Sequence, residues 1–468
     1  MARDPGRWLR DRVLWLVVGV TTAVRLFLAW RFFGFLGGDD VEILEEAFRR
    51  AVGLAYTPWR ARNLLLPDGL VVPFVYLGRT VGFRETFPLV LCATVPFVVL
   101  ASVNVVLVYR LVFRWLGDRT AARVGMAIYA FHWLPLAFGS TPYPRTVSTT
   151  FVLLATLALS GTGRDLMRGA AGGSLAALAF AVRHSEGMYL LPLLLVAVFA
   201  ETDRRRSVRR ALGVLGGFAV VSALTVGLYD LLTWGRPFSS LVSVFAFTVL
   251  EHASTSPGAV HPPLFYFTRV LFWLPLTMLP ALVLTARLRR VRLAWAFLAV
   301  PLVVLSFIQF KELRYLQGAM PFLALLGGAG FAVMRTRWRP WLVTALLVLT
   351  LASEVLGVRV LAGKSMAAVA AARAMASDRL VKVVALSQAW AYGDHLYFGN
   401  RVEVRDLATP PSMNDLKEKI AGADRVALYR KDLAANPALA AVLARRGLTS
   451  ETHFRWGESK AVAVFSRN

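Results

Sequence analysis

Residues 203–232 read DRRRSVRRALGVLGGFAVVSALTVGLYDLL. Five arginines crowd residues 201–210, and the run 211–232 that follows carries one charged residue, Asp230. An apolar run of ~20 residues spans the hydrocarbon core of a bilayer as a helix. A basic cluster at one end of such a run marks the cytoplasmic side. The same pairing recurs along the chain. Apolar spans at 13–33, 88–109, 124–138, 146–160, 169–182, 187–200, 211–232, 265–285, 293–308, 315–334 and 341–362 predict about eleven transmembrane helices. The spans 169–182 and 187–200 are short, because fourteen helical residues cover only ~21 Å. As a pair they leave the sidedness of everything downstream unchanged. The first span is too long for the apolar region of a cleaved signal and is read as a retained anchor.

With the N-terminus in the cytoplasm, segments 1–12, 110–123, 161–168, 201–210, 286–292 and 335–339 lie inside and hold twenty-two Lys and Arg. The short loops of the opposite face, 139–145, 183–187 and 309–314, hold Arg145, Arg183, Lys311 and Arg314. The alternation does not break. Two longer outer segments, 34–87 and 233–264, complete that face.

The 468 residues are 57% apolar, above the usual soluble range, with a net charge of +25. That charge sits in short clusters between apolar runs, so it encodes topology and argues against a nucleic-acid partner. The single cysteine, Cys92, excludes an intrachain disulfide and CxxC metal or redox motifs. From about residue 363 the long apolar runs stop, and strand-like stretches appear at 381–386, 401–405, 425–429 and 461–465. The expected architecture is an all-α polytopic membrane domain over 1–362 and a small extracytoplasmic α/β domain over 363–468.

The first outer loop contains Gly37-Gly38-Asp39-Asp40, and Val41, Leu44, Phe48 and Ala51 follow at helical spacing. This predicts an amphipathic helix at the membrane surface. Two readings of the Asp pair stay open. Asp39 suits an N-cap with Glu42 as its capping-box partner, supported by Glu45–Arg49 and Glu46–Arg50 pairs. A carboxylate here also suits a general base that takes a proton from a sugar hydroxyl. The loop Lys311-Glu312-Leu313-Arg314 lies between two apolar spans, where ions are costly unless paired or used. It suits either snorkelling interfacial side chains or recognition of a lipid phosphate, which Arg contacts bidentately and Lys as a point charge. Arg145, Arg183 and the turn His184-Ser185-Glu186 read first as helix-end anchors. His252 and His261 lack metal-ligand spacing, so no metal is expected. His132, inside an apolar span, is expected to bond a neighbouring helix.

The order of these pieces resembles the C-fold glycosyltransferases, in particular glycosyltransferase family 22, the mannosyltransferases of GPI-anchor and lipid-linked oligosaccharide assembly. In that family a His-Pro-Asp-Glu motif follows the first helix, and here Gly37-Gly38-Asp39-Asp40 holds that place, with Glu46 matching a downstream Glu. A Thr-Trp-Glu-Trp stretch leading to Arg-Ser and proline is similar to Thr57-Pro58-Trp59-Arg60, Arg62-Asn63 and Pro67. Arg145-Thr146-Val147-Ser148-Thr149 resembles Arg-Thr-x-Ser-Asn, and Arg183-His184-Ser185 stands at an Arg-Pro-Thr. Asp230 to Gly235 resembles Asp-x-x-x-Tyr-Gly, and Gly258 to Tyr266 keeps the His-Pro of its counterpart as His261-Pro262. Phe310-Lys311-Glu312-Leu313-Arg314-Tyr315 is similar to His-Lys-Glu-x-Arg-Phe. The matches keep the family's order over residues 25–321. The histidines of the first and last motifs are missing, and Val152 stands where the family has a Glu after Arg145.

The resemblance implies an inverting transfer of a sugar, mannose by family, from a polyprenyl phosphate to a lipid-linked or cell-envelope acceptor. Asp39 or Asp40 would be the base. Glu46, Arg62, Arg145, Arg183, His261, Tyr266, Lys311, Glu312 and Arg314 would bind the donor phosphate or substrate. No cofactor is implied beyond the donor itself. The partners are membrane lipids, the lipid-linked sugar and a glycan or glycolipid acceptor, in a bacterial plasma membrane rather than endoplasmic reticulum. Three alternatives remain: a transporter or flippase of lipid-linked saccharide, a non-catalytic scaffold, and a protein or lipid A glycosyltransferase of the same fold. A transporter would place charges near the midplane and often show inverted repeats. Here the charges sit mainly at helix ends.

Overall fold

The computed structural model describes residues 9–32, 38–53, 66–161, 163–199, 203–246, 250, 260–274, 278–286, 288, 291–334, 340, 344, 348, 352, 355, 366–393, 395–399, 401–455 and 461–467. The expected span 341–362 lies mostly outside them, as do Arg62, the stretch 57–60, His252 and Gly258. The helices run α1 (Arg12–Arg31), α2 (Gly38–Ala51), α3 (Val72–Thr80), α4 (Thr86–Leu116), α5 (Arg119–Phe131), α6 (Trp133–Phe138), α7 (Pro144–Leu159), α8 (Asp165–Val182), α9 (Leu190–Phe199), α10 (Arg204–Ser222), α11 (Leu228–Trp234) and α12 (Ser239–Phe245). There follow α13 (Phe265–Thr268), α14 (Val270–Trp273), α15 (Leu279–Thr285), α16 (Arg292–Phe307), α17 (Met320–Val333) and α18 (Met366–Ser377). The tail adds α19 (His395–Phe398), α20 (Met413–Lys419), α21 (Arg430–Ala435) and α22 (Ala438–Arg445), with strands β1 (Val383–Ser387), β2 (Glu403–Leu407), β3 (Arg425–Tyr429), β4 (Leu448–Phe454) and β5 (Val462–Arg467).

The chain forms two compact units. One comprises Met1–Leu26, Thr57–Leu66 and Pro96–Val355, and the other Phe27–Tyr56, Pro67–Val95 and Leu356–Asn468. Among the described residues, four helices are long and apolar enough to cross a membrane: Arg12–Arg31, Thr86–Leu116, Arg204–Trp234 and Leu313–Val333. Four further apolar helices among the described residues, Pro144–Leu159, His184–Phe199, Arg292–Phe307 and Met366–Ser377, are shorter. Two expected spans are divided. The helix predicted over 124–138 breaks at His132, whose extended backbone ends α5 and whose Nδ1 accepts the Leu134 N–H at 3.2 Å to start α6. Its Nε2 meets the Trp273 carbonyl at 3.0 Å, the expected bond to another helix. The span 265–285 becomes α13, α14 and α15, with residues 275–277 outside the described set.

In the first unit, α8 and α10 pack with their backbones nearly touching. Gly169 and Gly173 on one face Gly213 and Gly217 on the other, and a Cβ at Gly173 would stand 2.0 Å from the Val214 carbonyl oxygen. Small residues at i, i+4 let apolar helices approach in this way. Arg210 of α10 reaches Asp165 in the first turn of α8 and answers that charge within the contact. The 3₁₀ turn Leu313–Ala319 and α17 form the buried strut of this unit, with 89% of their apolar window inside it. Along the continuous helix Arg204–Trp234 the residues Leu212, Leu215, Val220, Leu224, Leu228 and Leu232 are exposed, a stripe that lipid rather than water would cover.

The second unit holds α2, α3, α18 and the sheet. Strand order is β2-β1-β3-β5-β4, parallel from β2 through β3 and antiparallel from β3 through β4. Each of the four strand-like stretches overlaps a strand, with β1 and β2 beginning two residues later than expected, and β4 is an addition. Successive strand residues alternate between two cores, as a period of two requires. Val384 and Leu386 pack on the face of α18, with Ala371, Ala372 and Met375. Ala385, Val426 and Leu428 pack on the other face, with Leu416, Ile420 and Leu443. Both faces being covered explains why these strands read as continuous apolar runs.

Candidate active site

The first unit gathers the cations of the outer-face loops. Pro144 opens α7, where a missing N–H costs nothing, and this sets Arg145 in the first turn. A cation there opposes the helix dipole. The opposition is answered by Glu186, which pairs with Arg145, while Ser185 Oγ accepts from Arg145 Nη2 at 3.3 Å. Arg183 ends α8 in an extended conformation, and the chain then turns through the 3₁₀ segment His184–Tyr189 that carries Glu186.

Residues 260–266 and 309–315 are zipped together. Val260 pairs with Phe310 in an antiparallel bridge, and His261 N–H donates to the Gln309 carbonyl at 3.1 Å. Lys311 Nζ donates to the His261 carbonyl at 2.8 Å, and Tyr266 OH to the Glu312 carbonyl at 3.3 Å. Lys311 is buried, and desolvation lowers its pKa below the ordinary lysine value. The His261 ring stacks on Phe265 with centroids 4.2 Å apart. Gln317 Nε2 donates to Thr146 Oγ1 at 3.0 Å, which joins the 313–319 turn to the start of α7.

These constraints bring three guanidinium groups to one aromatic ring. Arg145, Arg183 and Arg314 lie 5.0, 5.7 and 6.0 Å from the centroid of Tyr315, within cation–π range. Arg314 also lies 5.5 Å from the Tyr143 ring and pairs with Glu312. Three guanidinium groups face two carboxylates, Glu186 and Glu312, so the cluster carries excess positive charge. Such a set has the chemistry to hold an anion such as a phosphate.

Seven of the sequence candidates therefore meet in this unit: Arg145, Arg183, His261, Tyr266, Lys311, Glu312 and Arg314. Asp39, Asp40 and Glu46 lie on α2 in the second unit, and Arg62 is outside the described residues. Asp39 and Asp40 stand inside the first turn of α2 rather than at a cap, since the helix begins at Gly38. Both are buried, at 8% and 0% exposure. The expected Glu45–Arg49 pair is not formed, and Arg50 pairs with Asp68 at 2.7 Å. Glu46 is buried against the acidic side of the helix. Desolvation first, then Glu42, Glu45 and Asp68, outweigh Arg50 and push its carboxyl up to about 9.

Two residues of this cluster, Tyr315 and Glu186, escaped the sequence reading of a site, as did one buried charge elsewhere in the unit, Arg25. Tyr315 was visible as an aromatic following Arg314, and Glu186 as a lone acid in a loop with Arg183. Arg25, fully buried within α1, packs against Gly139, where a Cβ would come within 3.1 Å of its Nε. Its signal was a charge inside an apolar span. Among the described residues no three His, Cys, Asp or Glu side chains gather as a metal site requires.

Residues 61–383 match the family model described as the Alg9-like mannosyltransferase family. Among curated protein sequences none matches this chain. Solved structures share the fold. ArnT from Cupriavidus metallidurans bound to undecaprenyl phosphate is 13% identical with a TM-score of 0.64, over 98% of both chains. The archaeal oligosaccharyltransferase AglB from Archaeoglobus fulgidus, in complex with an inhibitory peptide and a dolichol-phosphate, is 10% identical with a TM-score of 0.55, over 97% of this chain and 74% of that one. Arabinofuranosyltransferase AftD from Mycobacteria is 15% identical with a TM-score of 0.53, over 96% of this chain and 39% of that one. With its apolar helices, its GT-C fold and a family match over most of its length, the chain belongs to the Alg9-like mannosyltransferase family and is an integral membrane glycosyltransferase.

Proposed function

We propose that the protein transfers a sugar, mannose by family, from a polyprenyl phosphate to a lipid-linked or cell-envelope acceptor on the non-cytoplasmic face of a bacterial plasma membrane. The observation that carries this reading is the meeting of Arg145, Arg183 and Arg314 at the Tyr315 ring. The polyprenyl phosphates bound to ArnT and AglB support a lipid phosphate as the anion.

In the proposed reaction the acceptor oxygen attacks the anomeric carbon from the face opposite the phosphate. The bond from that carbon to the phosphate oxygen breaks with its electron pair, and the lipid phosphate leaves. The hydroxyl proton passes to Asp39 or Asp40, and the configuration inverts. The cations lower the barrier by meeting charge that grows on the leaving phosphate. Arg62, Glu46, His261 and Tyr266 complete the substrate contacts, and no cofactor or metal takes part. The test is transfer by purified protein in nanodiscs, with a panel of polyprenyl-phosphate sugars and a polyprenol-linked acceptor. Turnover of one donor with inversion, lost in Arg314→Ala, is the expected result. No transfer from any polyprenyl-phosphate sugar, with nucleotide sugars active instead, would overturn the donor class.

A further inference from the structure

The second unit contains a cavity of about 570 Å³ lined by Arg49, Lys382, Val383, His395, Arg401, Val402 and Glu403. Its floor is built from the amino ends of β1 and β2, the latter an edge strand of the sheet, and from α2 and α19 beside them. The strand-end amides are already used. Glu403 N–H donates to the Lys382 carbonyl at 2.7 Å, and Asp424 Oδ2 accepts from the Lys382 and Val383 amides at 2.8 and 2.9 Å. Recognition in the cavity therefore falls to side chains.

Those side chains are unbalanced in charge. Arg49, Lys382 and Arg401 bring three positive charges, and the charge of Glu403 is answered by Arg405 at 2.7 Å. Arg401 spends one nitrogen on the Ala376 carbonyl at 2.9 Å. Arg49 has a buried Nε with no hydrogen-bond partner and makes no ion pair among the described residues. A guanidinium left in this state costs free energy unless an anion completes it.

The geometry points to a binding site for a phosphorylated saccharide. Two or three cations with one fork-shaped donor match a phosphate dianion. The volume falls in the range of small-molecule pockets and far exceeds the room that a single ion or water needs. No Phe, Tyr or Trp lines it, so a nucleobase would find no large aromatic face to stack on. Its lining residues belong to the second unit and the Tyr315 cluster to the first, and its readout is binding rather than transfer.

The experiment is calorimetric titration of the full-length protein in phosphatidylcholine nanodiscs with glucose 1-phosphate, glucose and inorganic phosphate. Glucose 1-phosphate is expected to bind saturably and more tightly than inorganic phosphate, and glucose not at all. Arg49→Ala should weaken that binding by about tenfold or more, as loss of a hydrogen bond to a charged group implies. Lys382→Glu should do the same, and because Lys382 is exposed this variant should melt with the wild type. Absence of saturable binding, or wild-type affinity in both variants, would overturn the proposal. Equal affinity for inorganic phosphate would overturn the saccharide, as would loss of binding when phosphatidylglycerol is included, which would assign the site to a lipid head group.

Discussion

Arg145 and Glu186 form an ion pair whose side chains are 1% and 0% exposed. The pair offsets a cation at the start of a helix, and Arg145 Nε and Glu186 Oε2 remain buried without hydrogen-bond partners among the described residues. Removing one member of such a pair leaves an uncompensated buried charge. Glu186→Gln is expected to lower stability by about 3 kcal/mol, read by thermal denaturation in detergent. The double variant Arg145→Met/Glu186→Leu should recover much of that stability, because an apolar pair of similar volume carries no desolvation cost. It should not recover turnover. Recovery of both would reduce Arg145 to a structural role.

Two glycines of the α8–α10 contact region separate close approach from mere glycine content. A Cβ at Gly173 would stand 2.0 Å from the Val214 carbonyl oxygen, whereas one at Gly216 would meet nothing within 4 Å. Gly173→Leu should therefore cost ~3 kcal/mol or prevent folding. Gly216→Ala should be neutral or stabilise by about 0.5–1 kcal/mol, since a helical glycine is entropically costly. Unfolding curves of the two variants in one detergent test the contrast.

Glu46 sets a pH dependence of stability. Its carboxyl is pushed up to about 9 in the folded protein, from an ordinary value of 4.5. Below the ordinary value both states hold the proton, and the group makes no difference. Between there and about 9 the folded state keeps a proton that the unfolded chain has released. Stability contributed at this site therefore falls as pH rises through that window. Glu46→Gln should flatten the decline and raise the unfolding midpoint most at the alkaline end. A midpoint that climbs with pH equally in both proteins would contradict the assignment.

Much of the tail was legible because two-sided burial makes strands conspicuous. Val383–Ser387, Arg425–Tyr429 and Val462–Arg467 are nearly continuous apolar runs. Strand β4, LTSETHF, sits at the other edge of the sheet and carries polar residues at most positions, so it lacked that signal. In the first unit, apolar content marked where helices form but not where they break. His132 interrupts its span by capping the next helix, a local bond that hydropathy does not register. The cations of the candidate site were readable as charges between apolar runs. Their common partner was not, because Tyr315 acts through its ring face, and the Arg145–Glu186 pair joins residues 41 positions apart.

The arginine alternation predicts sidedness. In a Cys92→Ala background, Arg205→Cys should be shielded from an impermeant thiol reagent in intact cells, and Arg430→Cys should react. Both positions are exposed, so accessibility within the fold does not decide the outcome. Labelling at 205 and protection at 430 would reverse the orientation and with it the face on which transfer is proposed.

Asp39 and Asp40 test chemistry against helix stability. Both lie in the first turn of α2, where a negative charge favours the helix by about 0.3–1 kcal/mol through its dipole. If that is their whole role, Asp39→Asn and Asp40→Asn should each lower stability by that amount and leave turnover nearly unchanged. If one is the base, its Asn variant cannot take the hydroxyl proton, and turnover should fall by ~10²–10⁴-fold with the melting temperature close to wild type. The two positions are 100° apart around the helix, so a single acceptor hydroxyl meets one of them in line. The expected pattern is therefore unequal: a large loss in one variant, a smaller loss in the other through altered charge, and a double variant no worse than the more severe single one. A donor-binding measurement completes the test. An Asn variant of the base should bind the polyprenyl-phosphate sugar as the wild type does, because the proton is accepted only as the new bond forms. Equal and modest losses that track donor affinity would make the pair a binding element and move the base elsewhere.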